Sequence, residues 1–331
     1  METFQALVVD KAGEATSLAV QHWRLDQLLP GDVTIQIEYS SVNYKDALAS
    51  RVDGKVARRY PLILGIDLAG TVTASDDVRF QPGQKVLAHG WDLGVAHHGG
   101  MAGFARVPAA WVVPLPHDLT TRQAMVIGTA GFTAALSIER LEYLGLRPQS
   151  GPVLVTGASG GVGSIAVALL AKRGYQVAAS TGSLAARDYL RSLGAQEILD
   201  RAETSAASER PLERARWAGA VDPVGGATLS YLLRTMAPRA SIALSGNTGG
   251  GVLATTVFPF ILRGINLLGI DSATYPQDLR SELWKRLAGD LRPPLLEEMI
   301  GREVSLDEVP TVLQNLLQGR GNGRTIVRLR S

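Results

Sequence analysis

Val153-Leu154-Val155-Thr156-Gly157-Ala158-Ser159-Gly160-Gly161-Val162-Gly163 carries an apolar run into a glycine turn, and Val162–Arg173 continues with apolar residues at helical spacing. The order predicted is buried parallel strand, turn, helix. A dinucleotide fold needs glycine here so that the backbone can approach the pyrophosphate and so that helix and strand can pack closely. The free N–H groups and positive dipole end of the helix then face the phosphates. Read as G-x-G-x-x-G, Gly160 and Gly163 are the second and third glycines and Ala158 stands in for the first. A glycine cluster alone also fits an ordinary flexible loop. The strand-helix alternation around it favours the dinucleotide reading.

That alternation continues outward. Gln176–Ser180 is strand-like and Leu184–Leu193 helical. Short strand-like runs recur at Ala220–Asp222, Ser241–Ser245 and Leu267–Ile270, the pattern of a doubly wound parallel sheet. Upstream the texture differs. Phe4–Val9, Val33–Tyr39, Leu68–Thr73, Lys85–Ala88 and Arg106–Pro114 read as strands separated by turn signals at Pro30-Gly31-Asp32, Ser75-Asp76-Asp77 and Pro82-Gly83, which suggests a barrel or sandwich. Thr121–Leu144 reads as helices interrupted at Gly128 and Gly131. The tail predicts helices over Asp278–Leu287 and Val309–Leu317 and a strand over Thr325–Leu329. Ala202–Ser208 is expected to be a surface loop.

At 331 residues the chain exceeds what one core usually supports, so two domains are expected. A net charge of +2, from 33 basic and 31 acidic side chains, is too balanced to argue for nucleic acid or a membrane surface as partner. With no cysteine, disulfides, thiolate catalysis and Cys-ligated zinc are excluded. Met1–Asp10 has no signal-peptide pattern and no uncharged apolar run reaches membrane-spanning length, so a cytoplasmic location is expected by elimination.

The second strand ends at Ser180-Thr181-Gly182-Ser183. An NAD-preferring site usually places an acid about 20 residues past the glycine loop. Here the position is polar and uncharged, which favours NADP, although Ser and Thr also serve simply as helix caps.

With the loop in place, further segments carry a resemblance: Val42-Asn43-Tyr44-Lys45-Asp46-Ala47, Gly65-Ile66-Asp67-Leu68-Ala69-Gly70, Ile127-Gly128-Thr129-Ala130-Gly131-Phe132-Thr133-Ala134, Phe258-Pro259-Phe260-Ile261-Leu262-Arg263-Gly264, Gly269-Ile270-Asp271-Ser272 and Gly323-Arg324-Thr325. Nearly end to end, the chain resembles the zinc-free quinone-oxidoreductase branch of the medium-chain dehydrogenase/reductase superfamily, and more narrowly its acryloyl-CoA reductases. The resemblance implies a GroES-like, partly open β-barrel catalytic domain from residues 1–124 and 273–331, with a doubly wound Rossmann domain over 125–272. It implies a homodimer and NADPH-dependent, metal-free reduction of the 2,3-double bond of acryloyl-CoA. In this reading Asn43 stands at the catalytic cysteine position of the zinc enzymes, and Gly65-Ile66-Asp67 replaces their Gly-His-Glu. The implied NADP contacts are Tyr44, Ser159, Gly160, Gly161, Val162, Gly163, Thr181, Gly182, Ser183, Arg201, Ile270, Ser272 and Arg324. Relatives often carry Arg at the place of Ser183, which leaves Arg201 or Arg187 as the replacement phosphate partner.

Without a metal, the enolate that develops during conjugate reduction needs hydrogen-bond donors. Tyr44, Lys45 and Asp46, expected on a non-repetitive stretch after a strand, are the catalytic candidates. Tyr44 would donate a proton or line the nicotinamide pocket, Lys45 would stabilise negative charge, and Asp46 would orient Lys45. A structural tyrosine beside a surface ion pair is the plainer alternative. His89, His97 and His98 lack a third ligand at metal-binding spacing and are expected to be solvated loop histidines. Lys55-Val56-Ala57-Arg58-Arg59 either meets the phosphates of a CoA handle or is a solvated loop. Two other functions stay open: a quinone or general enone reductase, and a non-catalytic NADP-binding sensor or structural protein.

Overall fold

A computed structural model describes residues 3–13 and 15–330. The chain divides into two compact units: Met1–Thr129 with Ala273–Gly289 and Leu296–Ser331, and Ala130–Ser272 with Asp290–Leu295.

The first unit is built on two sheets. β1 (Thr3–Ala12) pairs antiparallel with β2 (Ala15–Arg24) and with the two-residue β4 (Leu62–Ile63). The larger sheet runs β15 (Ile300–Val304), β16 (Arg324–Arg328), β3 (Val33–Ser41), β5 (Asp67–Ser75), β6 (Lys85–His89) and β8 (Val112–Pro114), with β7 (Phe104–Val107) also paired to β3. Helices of this unit include α1 (Tyr44–Ala49), α7 (Gln277–Ala288) and α8 (Val309–Leu317). Val33, Ile35, Ile37, Leu68, Val72 and Val86 form one fully buried core on alternate strand positions. A second core joins Leu7, Val9, Leu62 and Leu64 to Val309, Val312 and Leu313 of α8.

The second unit holds a six-stranded parallel sheet. Its order is β11 (Glu197–Asp200), β10 (Val177–Thr181), β9 (Val153–Val155), β12 (Trp217–Asp222), β13 (Met236–Leu244) and β14 (Asn266–Gly269). Numbered from β9, that is the 3-2-1-4-5-6 arrangement of a doubly wound dinucleotide fold. α3 (Gly161–Lys172), α4 (Arg187–Ser192), α5 (Gly226–Thr235) and α6 (Phe258–Arg263) connect the strands. β9 and β10 are buried throughout, as strands covered on both faces must be.

Several sequence expectations are corrected. The strand expected over Arg106–Pro114 is broken by a 3-10 turn at Ala109–Trp111. α2 (Thr121–Tyr143) breaks from helical geometry at Gly128, φ +49, and at no other residue. It is long and apolar enough to cross a membrane, but its most apolar window is 83% buried, which marks a core helix. Tyr44, Lys45 and Asp46 are not on irregular chain: they form the first turn of α1. Within Ala202–Ser208, a 3-10 turn at Glu203–Ser205 buries Thr204, whose hydroxyl bonds that of Ser180.

Candidate active site

The glycine turn of the second unit is dictated by contact. Gly157 holds φ +52, a left-handed conformation that glycine adopts without penalty. A Cβ on Gly163 would lie 2.4 Å from the Gly157 carbonyl oxygen, so only glycine lets α3 begin this close to β9. The Gly160 N–H closes the turn onto Gly157 O at 3.0 Å. Gly160, Gly161 and Val162 are half-buried, leaving the start of α3 accessible to an anion. Beside it the Ser159 and Thr181 hydroxyls are 3.0 Å apart, and Thr181 Oγ1 accepts the Ser183 N–H at 3.1 Å. The Arg201 N–H bonds Thr181 O at 3.1 Å, which fixes Arg201 next to β10. Its guanidinium lies against Gly182: a Cβ there would meet Nη2 at 2.3 Å and Cζ at 2.6 Å. Among the described residues no carboxylate lies within 4 Å of Arg201. Ser159, Thr181, Gly182, Ser183 and Arg201, separated by up to 42 positions, are thus gathered at one strand end around an uncompensated cation. Arg187 opens α4 after the same turn. Ile270 and Ser272 follow β14, where the Ser272 hydroxyl accepts from Thr133 Oγ1 at 2.7 Å. Sequence reading missed a glycine-lined cavity of about 140 Å³ at the carboxyl ends of β12 and β13, bounded by Gly225, Gly246, Asn247 and Gly250. The glycine run Gly249-Gly250-Gly251 was its one sequence signal.

The first unit contributes a buried polar hub. Asp67, fully buried at the start of β5, accepts from Ser41 Oγ, Asn43 Nδ2 at 2.8 Å, and both the N–H and hydroxyl of Thr129. The Arg324 guanidinium stands 3.8 Å away and donates to Val126 O, Val42 O, Asn43 Oδ1 and Ser41 Oγ. Gly128 makes room for this: a Cβ would lie 2.5 Å from Asp67 Oδ2 and 2.8 Å from Arg324 Nη2. Arg324 is only 2% exposed, and all three of its guanidinium nitrogens bond protein groups. Within this unit it cross-links the chain ends around Asp67.

Asp46 is also fully buried, and its oxygens accept the N–H groups of Asn43 at 2.8 Å and Ile66 at 2.9 Å. The carboxylate therefore pins the first turn of α1 to the segment before β5, where it was expected to orient Lys45. Burial, reinforced by the nearby Asp67 charge, raises its pKa to about 7 despite the two backbone donors. Tyr44 and Lys45, half-buried at the start of the pinned turn, make no side-chain hydrogen bond or ion pair among the described residues. Their polar ends are unclaimed by the protein.

The histidines differ from expectation. His89 is buried at the end of β6, where Nε2 accepts the Trp284 indole N–H at 2.9 Å, leaving Nδ1 as the nitrogen that carries hydrogen in the neutral ring. Burial, then the adjacent Arg280, holds its pKa well below the usual value. His98 is buried against Trp23 and shifted down to about 4 by burial and by the His97 and Arg59 charges. Both are core residues. His97 is half-buried, with Nε2 3.2 Å from Pro30 O.

Among the described residues no three His, Cys, Asp or Glu side chains converge as metal ligands. The hub itself does not suit a metal. Asp67 is saturated with donors, and a second cation would sit against the Arg324 guanidinium.

A doubly wound unit with a glycine turn at the start of α3, carried between segments of a β-rich unit, defines a medium-chain dehydrogenase/reductase. Residues 29–117 match the alcohol dehydrogenase GroES-like domain and residues 161–289 the zinc-binding dehydrogenase domain. The chain is 51% identical over 326 residues to acrylyl-CoA reductase AcuI of Ruegeria pomeroyi, covering 98% of each, and 51% identical to putative quinone oxidoreductase YhfP of Bacillus subtilis, covering 98% of this chain and 99% of YhfP. It superposes on the yhdH oxidoreductase of Salmonella enterica in complex with NADP with a TM-score of 0.95 at 49% identity, covering 98% of this chain and all of the other. The structure of Bacillus subtilis yhfP with NAD bound gives a TM-score of 0.96 at 50% identity, covering 99% and 100%. The chain belongs to this zinc-free family of AcuI, YhfP and YhdH.

Proposed function

We propose that this chain reduces the 2,3-double bond of acryloyl-CoA to propanoyl-CoA with NADPH. The observation that carries the reading is the second unit's phosphate cradle. Uncompensated Arg201 lies against Gly182 beside the Thr181 hydroxyl, where an NAD site would place an acid. The substrate follows from AcuI, the relative matched along nearly its whole length.

NADPH, when bound, supplies a hydride from the nicotinamide C4 to the substrate β-carbon. The remaining tasks fall to the protein. The start of α3, with Ser159 and Gly160 to Gly163, holds the pyrophosphate, and Thr181, Ser183 and Arg201 hold the 2′-phosphate. Ile270 and Ser272 line the cofactor. Tyr44 donates its hydroxyl hydrogen to the developing enolate, and Lys45 adds a positive charge where negative charge accumulates. Asp46 acts as a positioning residue through the turn that presents both. The supporting observation is that the polar ends of Tyr44 and Lys45 are free while Asp46 is fully committed. Quinone reduction is the second reading, favoured by the name YhfP carries.

The test compares kcat/KM for acryloyl-CoA and a simple quinone, using stereospecifically 4-deuterated NADPH. Acryloyl-CoA should be preferred, and one of the two labelled cofactors should place deuterium at the β-carbon of propanoyl-CoA. A preferred quinone overturns the substrate, and absence of label from either cofactor overturns the hydride step.

The enzyme works in the cytoplasm as a homodimer. Support for self-association comes from the second unit, where Val257, Ile261 and Leu262 are exposed on and before α6 and the neighbouring β14 is an open sheet edge. Ile261→Asp should shift the mass measured by light scattering from dimer to monomer.

A further inference from the structure

Between α1 and β4, a loop carries more positive charge than its surroundings neutralise. Residues 51–59 place Val56 and Ala57 inward, against the core that contains Val42, Ala47 and Ala49, and leave Arg51, Lys55, Arg58 and Arg59 exposed. Two of these cations are compensated, Arg51 by Asp53 at 2.6 Å and Arg58 by Asp92 at 3.6 Å. Lys55 and Arg59 have no carboxylate within 4 Å among the described residues.

The loop is fixed on both sides. A Cβ on Gly54 would lie 2.0 Å from Leu48 O, so the chain is pressed on the end of α1. The Arg58 N–H bonds Val95 O at 2.8 Å, tying it to the segment after β6. Lys55 holds φ +54, which is uncommon for a side chain of its size and persists only where the surroundings impose it. The segment to which Arg58 is tied also carries flat surfaces. Trp91 is stacked parallel to Trp111 with centroids 6.4 Å apart, and His97 meets Trp111 edge-on at 5.3 Å. All three rings are half-buried. The Trp91 ring is also covered by the Arg280 guanidinium at 5.2 Å, so the ligand-facing feature of this region is the pair of uncompensated cations on a fixed loop, which suits phosphate groups.

We propose that Lys55 and Arg59 bind the phosphate groups of the CoA portion of the substrate. The assignment rests on the acryloyl-CoA reading. Binding energy from a part of the substrate remote from the reacting carbon can position that carbon, and this loop continues directly from the helix that carries Tyr44.

The test uses the full chain with acryloyl-CoA and with acryloyl-pantetheine, which has the same reacting group and no phosphate. Lys55→Ala/Arg59→Ala should lower kcat/KM for acryloyl-CoA by about tenfold to a hundredfold, the usual worth of charge-assisted contacts. Acryloyl-pantetheine and the KM for NADPH should be unaffected, and Lys55→Arg/Arg59→Lys should restore the loss. Calorimetric binding of free CoA should weaken in parallel, a readout independent of turnover. Equal losses with both thioesters, no loss with either, or a rise confined to the NADPH KM would overturn the assignment. A wild-type protein that binds CoA through these cations yet reduces neither thioester would instead overturn the activity.

Discussion

Arg201→Ala isolates the contribution of one cation to cofactor choice. The Arg201 backbone is held by its bond to Thr181 O, and the guanidinium rests on Gly182 at the strand end where a 2′-phosphate would stand. Because the side chain is exposed and makes no ion pair among the described residues, removing it leaves no stranded partner and should cost little stability. A charge-assisted contact contributes about 1.5–3 kcal/mol, and solvent exposure argues for the lower end, so kcat/KM for NADPH should fall roughly tenfold. NADH has no phosphate at that place and should lose less than about twofold by the same reasoning. The preference of the native enzyme should also shrink with added salt, since exposed charges are screened. Steady-state rates with both cofactors, at low and high ionic strength, measure this. Gly182→Ala offers an internal comparison, because the new Cβ would collide with the guanidinium without deleting its charge. Losses of equal size with NADPH and NADH, or none with either, would refute the placement of the 2′-phosphate beside Arg201.

Tyr44→Phe should lower turnover by about two to four decades if the hydroxyl serves as donor, with the KM for NADPH little changed, as read from full kinetic curves. Arg324→Met should cost about 3–5 kcal/mol in denaturant unfolding, because it strands the buried Asp67 carboxylate. The raised pKa of Asp46 makes the folded state hold a proton that the unfolded chain has released, so this residue's stabilising contribution is present below about pH 4 and is lost as pH rises through about 7. Asp46→Asn should flatten that part of the stability–pH profile, measured by unfolding across the same window.

The second unit was legible in the sequence because parallel strands buried on both faces leave short, nearly continuous apolar runs, as at Val153–Val155 and Val177–Thr181. β2 escaped notice because only one of its positions, Trp23, is buried, and its single apolar run, Leu18-Ala19-Val20, is too short to mark a strand among the polar residues around it. The glycine turn before α3 was legible in the sequence, but the contact of Arg201 with Gly182 was not, since it depends on how β11 returns beside β10. In the first unit the residues whose surroundings the sequence left open are buried polar groups. Asp67 meets Thr129 across 62 positions, Arg280 meets His89 across 191, and Arg324 meets Ser41 across 283. No local pattern marks such a residue as buried, because its partner lies far along the chain. Thr129 did fall inside a recognised motif, and a hydroxyl beside Gly128 was the available signal.

The Asp67–Arg324 hub also sets an order of events during synthesis. Every strand of the parallel sheet is complete by Gly269, whereas β3 acquires its neighbour β16 only when residues 324–328 exist. The ribosome therefore delivers a second unit with its sheet complete while the first still has Asp67 without its cation and Tyr39–Ser41 of β3 without their β16 partners. Through that interval the nascent chain carries an exposed strand edge of the kind that chaperones shield. A ribosome stalled before codon 324 would leave it in that condition.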